Sequence, residues 1–562
     1  MKRSTDAPIW AGALAGVVAA ACGIGAGEVV AGLDERLRGP IAAVGDRVVD
    51  NVPRPIKTWA IDTFGTNDKA VLLAGVAVLL ALFAAGIGIL ALRRSIRAGL
   101  IGVGAFACIG VVASLGRGGS GWARPVPPIV AGLVAGWVLA VLARRAGTAW
   151  PPDHNTGSDH QEPRSTTLPV IETDADEVAA TQPAATAMVV PGRGADRRRF
   201  LQLSAGLAIA AVAAGGVGRW MQSRAAAVGE RLKVVLPKPT DPLAPIPDAV
   251  HAAGAVPFIT PNDDFYRIDT ALVVPRVSTD GWTLEVTGRV DRTLTLTYAE
   301  LLDRPMVEAD ITISCVSNEV GGDLIGTARW LGCRLDDLLD EAGVDPSADQ
   351  IVGRSVDGFT AGFPTALLDG RPALVAVGMN GEALPIDHGY PARLIVPGVY
   401  GYVSATKWLS QIELTRFDEF DAYWIPRGWS RLGPIKTQSR IDTPRRGTET
   451  TVGTTVPIAG VAWAMDRRIA TVEVRIDGPS PVDGPVDELE REGEWQEATL
   501  ADELNDTTWR QWSLTSWTPD AAGKYRITVR ATDGQGRTQP EERTDVAPDG
   551  ATGWHQVGVT VT

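Results

Sequence analysis

The 562-residue chain carries a net charge of −13 and a pI near 5.1. That balance disfavours nucleic acid as a partner, because phosphate binding needs a clustered basic face and the sequence offers none. The length exceeds what one hydrophobic core organises, so two or more domains are expected, and four cysteines are too few to frame them with disulfides.

The first 150 residues are dominated by Ala, Gly, Val and Leu, whereas the remainder has the composition of a soluble protein. Residues 8–30, 70–92, 97–115 and 126–143 are each nearly uncharged. Each is close to the roughly 20 residues that a helix needs to cross hydrocarbon. Four transmembrane spans within 1–145, an all-α bundle, are therefore predicted, with small residues that let helices approach. Cys22 and Cys108 fall in these apolar stretches. The intervening 31–69, mixed in charge and interrupted by Pro53 and Pro55, suits an amphipathic segment outside the bilayer.

Arginine and lysine set the orientation, because cytoplasmic flanks collect them. Lys2 and Arg3, "RRSIR" at 93–97, and Arg144 with Arg145 fall on one side if four helices alternate, and that side is predicted to be inside. Residues 146–199, rich in Pro, Thr, Ser, Asp and Glu, read as a flexible cytoplasmic linker. Three arginines, 197–199, then precede the apolar stretch 200–219, which fits either a fifth span or a twin-arginine-like signal anchor. Both deliver residue 220 onward to the outside. All five histidines lie beyond residue 150, so haem held by a histidine pair in the helices has no ligands. Charges inside the spans are scarce, which leaves an ion pathway without a relay.

From about residue 256 short runs alternate apolar and polar: "WTLEVTGRV" (282–290), "TLTLT" (293–297) and "ADITISC" (309–315). Between them "TYAELLDR" (297–304) and "LDDLLDEAG" (335–343) read as amphipathic helices, the second stopped by Gly343. Strands and short helices in this arrangement predict an α+β domain over 225–440. Over 445–562 helix signals nearly vanish, and alternating runs separated by Gly, Asp and Pro turns predict a β-sandwich of immunoglobulin type.

Cys315 ends one of these runs and Cys333 follows eighteen residues later. Several roles are open to Cys315: a small hydrophobe at a strand end, half of a disulfide with Cys333, a nucleophile served by His388, or one thiolate on a metal carried by an organic cofactor. A zinc site fits poorly, because two cysteines and one histidine at this separation miss the usual paired spacing. The cofactor role requires an anion-gripping segment elsewhere. "DHGYPARLIVPGVYGYVSATKWLSQIEL" (387–414) qualifies, with an arginine for bidentate contact, a lysine as point charge and glycine-rich turns. Taken alone, it reads rather as a strand, "ARLIVPG", with incidental basic residues.

Taken in order, "FYRID" (265–269), "CVSN" (315–318), "GTARWLG" (326–332), "DGFTAGFP" (357–364), "MNGEALPIDHGYPARLIVPG" (379–398) and "KWL" (407–409) resemble the sulfite oxidase family of molybdopterin-dependent oxidoreductases. The resemblance runs from about Phe258 to the C-terminus, whose strands look like that family's dimerisation domain. It implies that Cys315 is the protein thiolate on molybdenum, with Asn318 beside it in the catalytic centre. It further implies that Asp263, Tyr266, Arg267, Ser355, His388, Arg393, Thr406 and Lys407 surround the pterin and its phosphate, and it leaves Cys333 as a core residue.

Members that oxidise sulfite carry an arginine pair directly after this asparagine, where Glu319 and Val320 stand here. A carboxylate there opposes an oxyanion. The expectation is thus a membrane-anchored, extracytoplasmic molybdopterin enzyme that transfers an oxygen atom with two electrons on a small substrate other than sulfite. No haem domain is expected, so electrons pass to or from a separate carrier, cytochrome or quinone-linked, and the C-terminal domain pairs two chains. The alternative is a non-catalytic surface protein that binds or senses through its immunoglobulin-like domain.

Overall fold

The computed structural model describes residues 5–33, 37–52, 56, 63, 68–115, 123–151, 193–223, 226–480 and 492–562. The chain divides into two compact units, one running to Gln222 and the other from Ser223 to Thr562.

The first unit holds α1 (Ile9–Ala31), α2 (Pro40–Asn51), α3 (Asp68–Arg93), α4 (Ile96–Ser114), α5 (Val126–Ala149) and α6 (Arg193–Ser223). All but α2 contain a stretch long and apolar enough to cross a membrane, five among the described residues. Glycine lets α1 and α3 approach closely: a Cβ on Gly16 would lie 1.9 Å from the Ala84 carbonyl oxygen, and one on Gly88 2.1 Å from that of Gly12. The 31–69 segment expected to be amphipathic contains α2, with Ala43 and Asp46 buried and Arg47 exposed. Glu28, one of the scarce charges within the predicted spans, is buried within α1. The predicted linker 146–199 is shorter at both ends, since α5 continues to Ala149 and α6 starts at Arg193; its residues 152–192 lie outside the described residues. In α6, Phe200 is fully buried and meets Trp150 edge-on at 5.4 Å.

The second unit begins with α7 (Ala226–Arg231). One five-stranded sheet is ordered β2 (Leu294–Thr297), β1 (Thr283–Gly288), β10 (Leu409–Thr415), β5 (Gln350–Ser355), β6 (Thr360–Pro364), with only the β1–β10 pair parallel. A second is ordered β3 (Val307–Ser314), β4 (Ile325–Arg334), β7 (Leu374–Met379), β8 (Glu382–Ala383), with β9 (Arg393–Ile395) also pairing β7. Two short helices, α8 (Tyr298–Leu302) and α9 (Leu335–Ala342), complete this part. Thr297 starts α8 with a capping box to Glu300, and Gly343 ends α9 in the left-handed region.

The second sheet is buried on both faces, which follows from its period of two. Val375 and Val377 of β7 join Leu335, Leu338, Ile351 and Ile412 in one core. Leu374 and Ala376, pointing the other way, join Phe265, Ile311, Trp330 and Tyr390 in another. β7 and β8 are joined by Asn380-Gly381, both at positive φ (51° and 85°), the pattern of a two-residue type I′ hairpin.

α10 (Gly401–Ser404) precedes β10, and after β10 the chain enters two further sheets. One is β11 (Gln438–Thr443), β13 (Val456–Trp463), β17 (Arg510–Trp517), β16 (Thr499–Leu500); the other is β12 (Thr448–Thr450), β19 (His555–Val561), β18 (Gly523–Asp533), β14 (Ile469–Ser480), β15 (Trp495–Glu497). Ile458 and Trp512 of the first and Val474, Ile527 and Val557 of the second share one core, so the two sheets form a sandwich.

Candidate active site

β3 delivers Cys315 to the end of a fully buried run. Its free edge is covered rather than left to solvent, a common defence of an edge strand. The covering segment comes from nearly two hundred residues downstream: Thr312 N–H donates to the Thr507 carbonyl at 2.9 Å, Trp509 N–H to Thr312 Oγ1 at 2.9 Å, and Thr507 Oγ1 to the Asp310 carbonyl at 2.9 Å. Cys315 thus sits where the α+β part meets the sandwich, with neighbouring Val316 in a core that includes Tyr400, Trp463 and Trp509.

Cys315 and Cys333 are both free thiols, so no disulfide links them. Burial pushes the Cys315 thiol up; the Ser317 N–H, 3.4 Å from Sγ, and the Lys407 charge partly oppose this. Cys333, in the core below α9, is pushed up to about 12 by burial. Asn318 is buried, and its Oδ1 accepts from Leu324 N–H at 2.9 Å. This fixes the amide with Nδ2 as the free donor, and Nδ2 has no partner.

Residues 262–269 form the opposite wall. Phe265 stacks on Tyr266 (5.3 Å between centroids) and meets Trp330 and His388 edge-on at 5.9 and 5.6 Å. Gly326 permits this, because a Cβ there would lie 2.9 Å from the Phe265 ring. Tyr266 is raised by burial and by the Cys315 charge, while Arg393 opposes the shift.

The basic segment closes the site. Gly389 (φ 114°) turns the chain so tightly that a Cβ would lie 3.1 Å from the Arg393 Cβ and from the Lys407 Cα. Arg393 is buried with its guanidinium 4.9 Å over the Trp330 ring, donates through Nη1 to the His388 carbonyl at 3.1 Å, and has no partner for Nε. Burial lowers it to about 10. His388 is lowered to about 4 by burial and by Arg393 and Lys407. Its Nε2 faces the Asn262 carbonyl at 3.2 Å, which can only accept, so the neutral ring carries its proton on Nε2 and offers Nδ1 as acceptor. Lys407 donates to Asp269 Oδ2 at 3.1 Å and to the Asp387 carbonyl at 3.0 Å, and is pushed down to about 8, mainly by burial. Arg267 bonds the same Asp269 oxygen at 3.0 Å and Asp387 at 3.3 Å. Thr406 is buried with Oγ1 unpartnered.

Cys315, Tyr266, His388, Arg393 and Lys407 are thus brought together, with Arg267 joined to Lys407 through Asp269. Asp263, Arg267 and His388 line a cleft of about 490 Å³ with Asn262, Phe265 and Asp387; Cys315 is not in its lining. Ser355 ends β5 opposite Leu409 of β10, and the next residue, Val356, donates its N–H to the Trp408 carbonyl at 3.0 Å, beside Lys407 in the chain. Sequence reasoning missed Asp269, the nearly inaccessible carboxylate between two cations. It also missed Asn262, whose carbonyl holds His388. "FYRID" contains Asp269, but only the fold reveals its partners. Glu319, the residue that departs from the family pattern, is exposed.

Among the described residues no three His, Cys, Asp or Glu side chains gather as a metal-binding set. A metal at Cys315 would therefore need further ligands carried in with it. The unpartnered Asn318 Nδ2, Arg393 Nε and Thr406 Oγ1 suit a polar organic group that brings acceptors and donors of its own.

Residues 271–424 match the family described as oxidoreductase molybdopterin binding domain, and 433–562 match the Mo-co oxidoreductase dimerisation domain. Mitochondrial sulfite oxidase of Rattus norvegicus is 30% identical over 357 residues, covering 54% of this chain and 62% of that protein. The uncharacterised oxidoreductase YuiH of Bacillus subtilis (strain 168) is 30% identical over 152 residues, 27% of this chain and 74% of that protein. Among solved structures, the sulfane dehydrogenase SoxCD from Paracoccus pantotrophus aligns with a TM-score of 0.44 at 22% identity, covering 55% of this chain and 85% of that one. The chain spans 62% of the length of the rat and human sulfite oxidases it matches.

Proposed function

Because this chain belongs to the sulfite oxidase family of molybdopterin oxidoreductases, we propose that residues 226–562 are the catalytic part of a membrane-anchored, extracytoplasmic molybdenum enzyme. When bound, the cofactor supplies two-electron redox chemistry coupled to oxygen-atom transfer. The observation that carries the reading is the buried free thiol of Cys315, which feels the Lys407 charge, together with the buried, unpartnered Asn318 Nδ2, Arg393 Nε and Thr406 Oγ1. A binding protein without chemistry accounts for neither.

In this reading Cys315 is the one protein ligand to the metal, and loading removes its proton, because coordination demands the thiolate. Asn318 donates through Nδ2 at the reacting centre. Arg393, Thr406 and Lys407 grip the pterin and its phosphate, His388 offers Nδ1 as acceptor, and Tyr266, Arg267, Asp263 and Ser355 complete the surround. Asp269 holds Arg267 and Lys407 in place. Glu319 and Val320 stand where sulfite-oxidising members carry an arginine pair, so the substrate is a small molecule of another kind, and reduction of an S-oxide or N-oxide fits as well as oxidation. Electrons are exchanged with a separate carrier. The sandwich acts as an immunoglobulin-type dimerisation module, a role supported by its family match.

The test is the metal and pterin content of the full chain purified in detergent after expression with cofactor synthesis available. About one molybdenum and one pterin per chain are expected. A chain that carries neither overturns the reading.

A further inference from the structure

The segment after Cys315 consists of two turns back to back. Asn318 N–H closes the first on the Cys315 carbonyl at 3.1 Å, and Gly322 N–H closes the second on the Glu319 carbonyl at 2.9 Å. Gly321, third in the second turn, has φ 79°, the type II position that glycine fills without strain. These turns carry Asn318 and Glu319, the third and fourth residues after the thiol.

Two residues of the sandwich clasp them. Arg440 of β11 donates through Nη1 to the Gly322 carbonyl at 2.9 Å, while Asp442 holds its Nε at 2.7 Å; both side chains are at most 10% exposed. His555, the first residue of β19, accepts the Ile441 N–H on Nδ1 at 3.0 Å, so the proton of the neutral ring lies on Nε2. That edge of the ring lies against Gly321, where a Cβ would sit 2.2 Å from Cδ2 and 2.4 Å from Nε2. Burial, with Arg440 and Arg543 nearby, holds His555 at about 4, so the ring stays neutral at ordinary pH.

We propose that Arg440 and His555 are positioning residues of the active site: the sandwich holds the turn that carries Asn318 and Glu319, and so fixes what borders Cys315. This rests on the reading above in one respect only, that Cys315 faces the reaction. The clasp itself stands on the contacts.

The test uses the full chain in detergent, loaded with cofactor, and three variants: His555→Ala, Gly321→Ala and the two combined. Amide hydrogen exchange is followed at residues 318, 322 and 324, alongside the electron paramagnetic resonance of the partly reduced metal. Each single change should speed exchange at these amides by about five- to tenfold, the loss of roughly one hydrogen bond's worth of local order, and should displace the metal signal. Removing the ring makes room for the added methyl, so the double variant should sit closer to His555→Ala than the product of the two effects predicts. Arg440→Lys, which keeps the charge, should retain more protection than Arg440→Gln. Exchange within twofold of the unaltered chain in both single variants, or an unmoved metal signal, overturns the proposal. If the unaltered chain carries no molybdenum, the catalytic reading falls with it, yet the exchange data still decide whether the clasp exists.

Discussion

Burial, more than any neighbouring charge, sets the chemistry of the individual side chains at this site. Cys315 is raised by it and remains a thiol at neutral pH until something with a stronger claim than a proton arrives. In the unloaded native chain, alkylation of Cys315 by iodoacetamide at pH 8 should be at least about tenfold slower than in the unfolded chain, read by mass spectrometry of the peptide. Cys315→Ser should leave a folded protein that still binds pterin but lacks thiolate-to-metal absorption. Full turnover by that variant would show that the ligand is another group. Lys407 is displaced the other way, down to about 8, by burial first and by Arg393 in addition, with Asp269 opposing. An anion bound at Lys407 favours the protonated amine. Below about pH 8 the amine is charged before and after binding, and retention is flat. Above it, binding must take up a proton, and affinity should fall by up to about tenfold per pH unit. Lys407→Arg keeps its charge, so its pterin retention, measured after dialysis between pH 7 and 10, should lose that slope.

Among the elements, the strands after residue 280 were legible because a half-buried strand writes its period into the sequence, and α8 and α9 because Thr297 and Gly343 mark their ends. What period cannot write is which strands pair. Nothing local shows that β1 runs parallel to β10, or that residues 505–509 cover the edge of β3. The run "VAWAMDRRIATVEVRIDG" likewise divides into β13 and β14 at a turn where Asp466 and Arg468 take positive φ, a cost no pattern announces. The basic residues were legible one at a time, whereas Asp269, Arg440 and His555 gain meaning only through partners more than a hundred residues away. β5 shows how an element constrains the site. It approaches the 406–407 segment so closely that a Cβ on Gly353 would lie 2.5 Å from Thr406 Oγ1 and 3.1 Å from Leu394 Cδ2. Gly353→Ala should therefore cost about 1–3 kcal/mol by overpacking. It should also lower pterin content, because the displaced segment carries Thr406 and Lys407; thermal unfolding and pterin fluorescence would read both.

At the scale of the whole molecule, the capped edge of β3 bears on the order of events. The strand that ends at Cys315 is complete only when residues 505–509 have folded against it, so the site is finished late in the chain. If the enzyme is loaded with cofactor inside the cell, it would have to be exported with this unit already folded, and the three arginines at 197–199 would then have a purpose beyond charge. They also have a place in the bundle: Arg197 lies 5.6 Å over the Trp150 ring and Arg199 is 3.9 Å from Asp196. Changing all three to lysine keeps the positive flank that orients a span, and so separates the two roles. If folded export depends on the arginines, the lysine variant should keep residues 226–562 inside, loaded with molybdenum and resistant to protease added to intact spheroplasts, while the unaltered protein is cut. If the variant reaches the outside as efficiently as the unaltered protein, the segment works as an ordinary span by charge alone, and the unit need not be folded when it crosses.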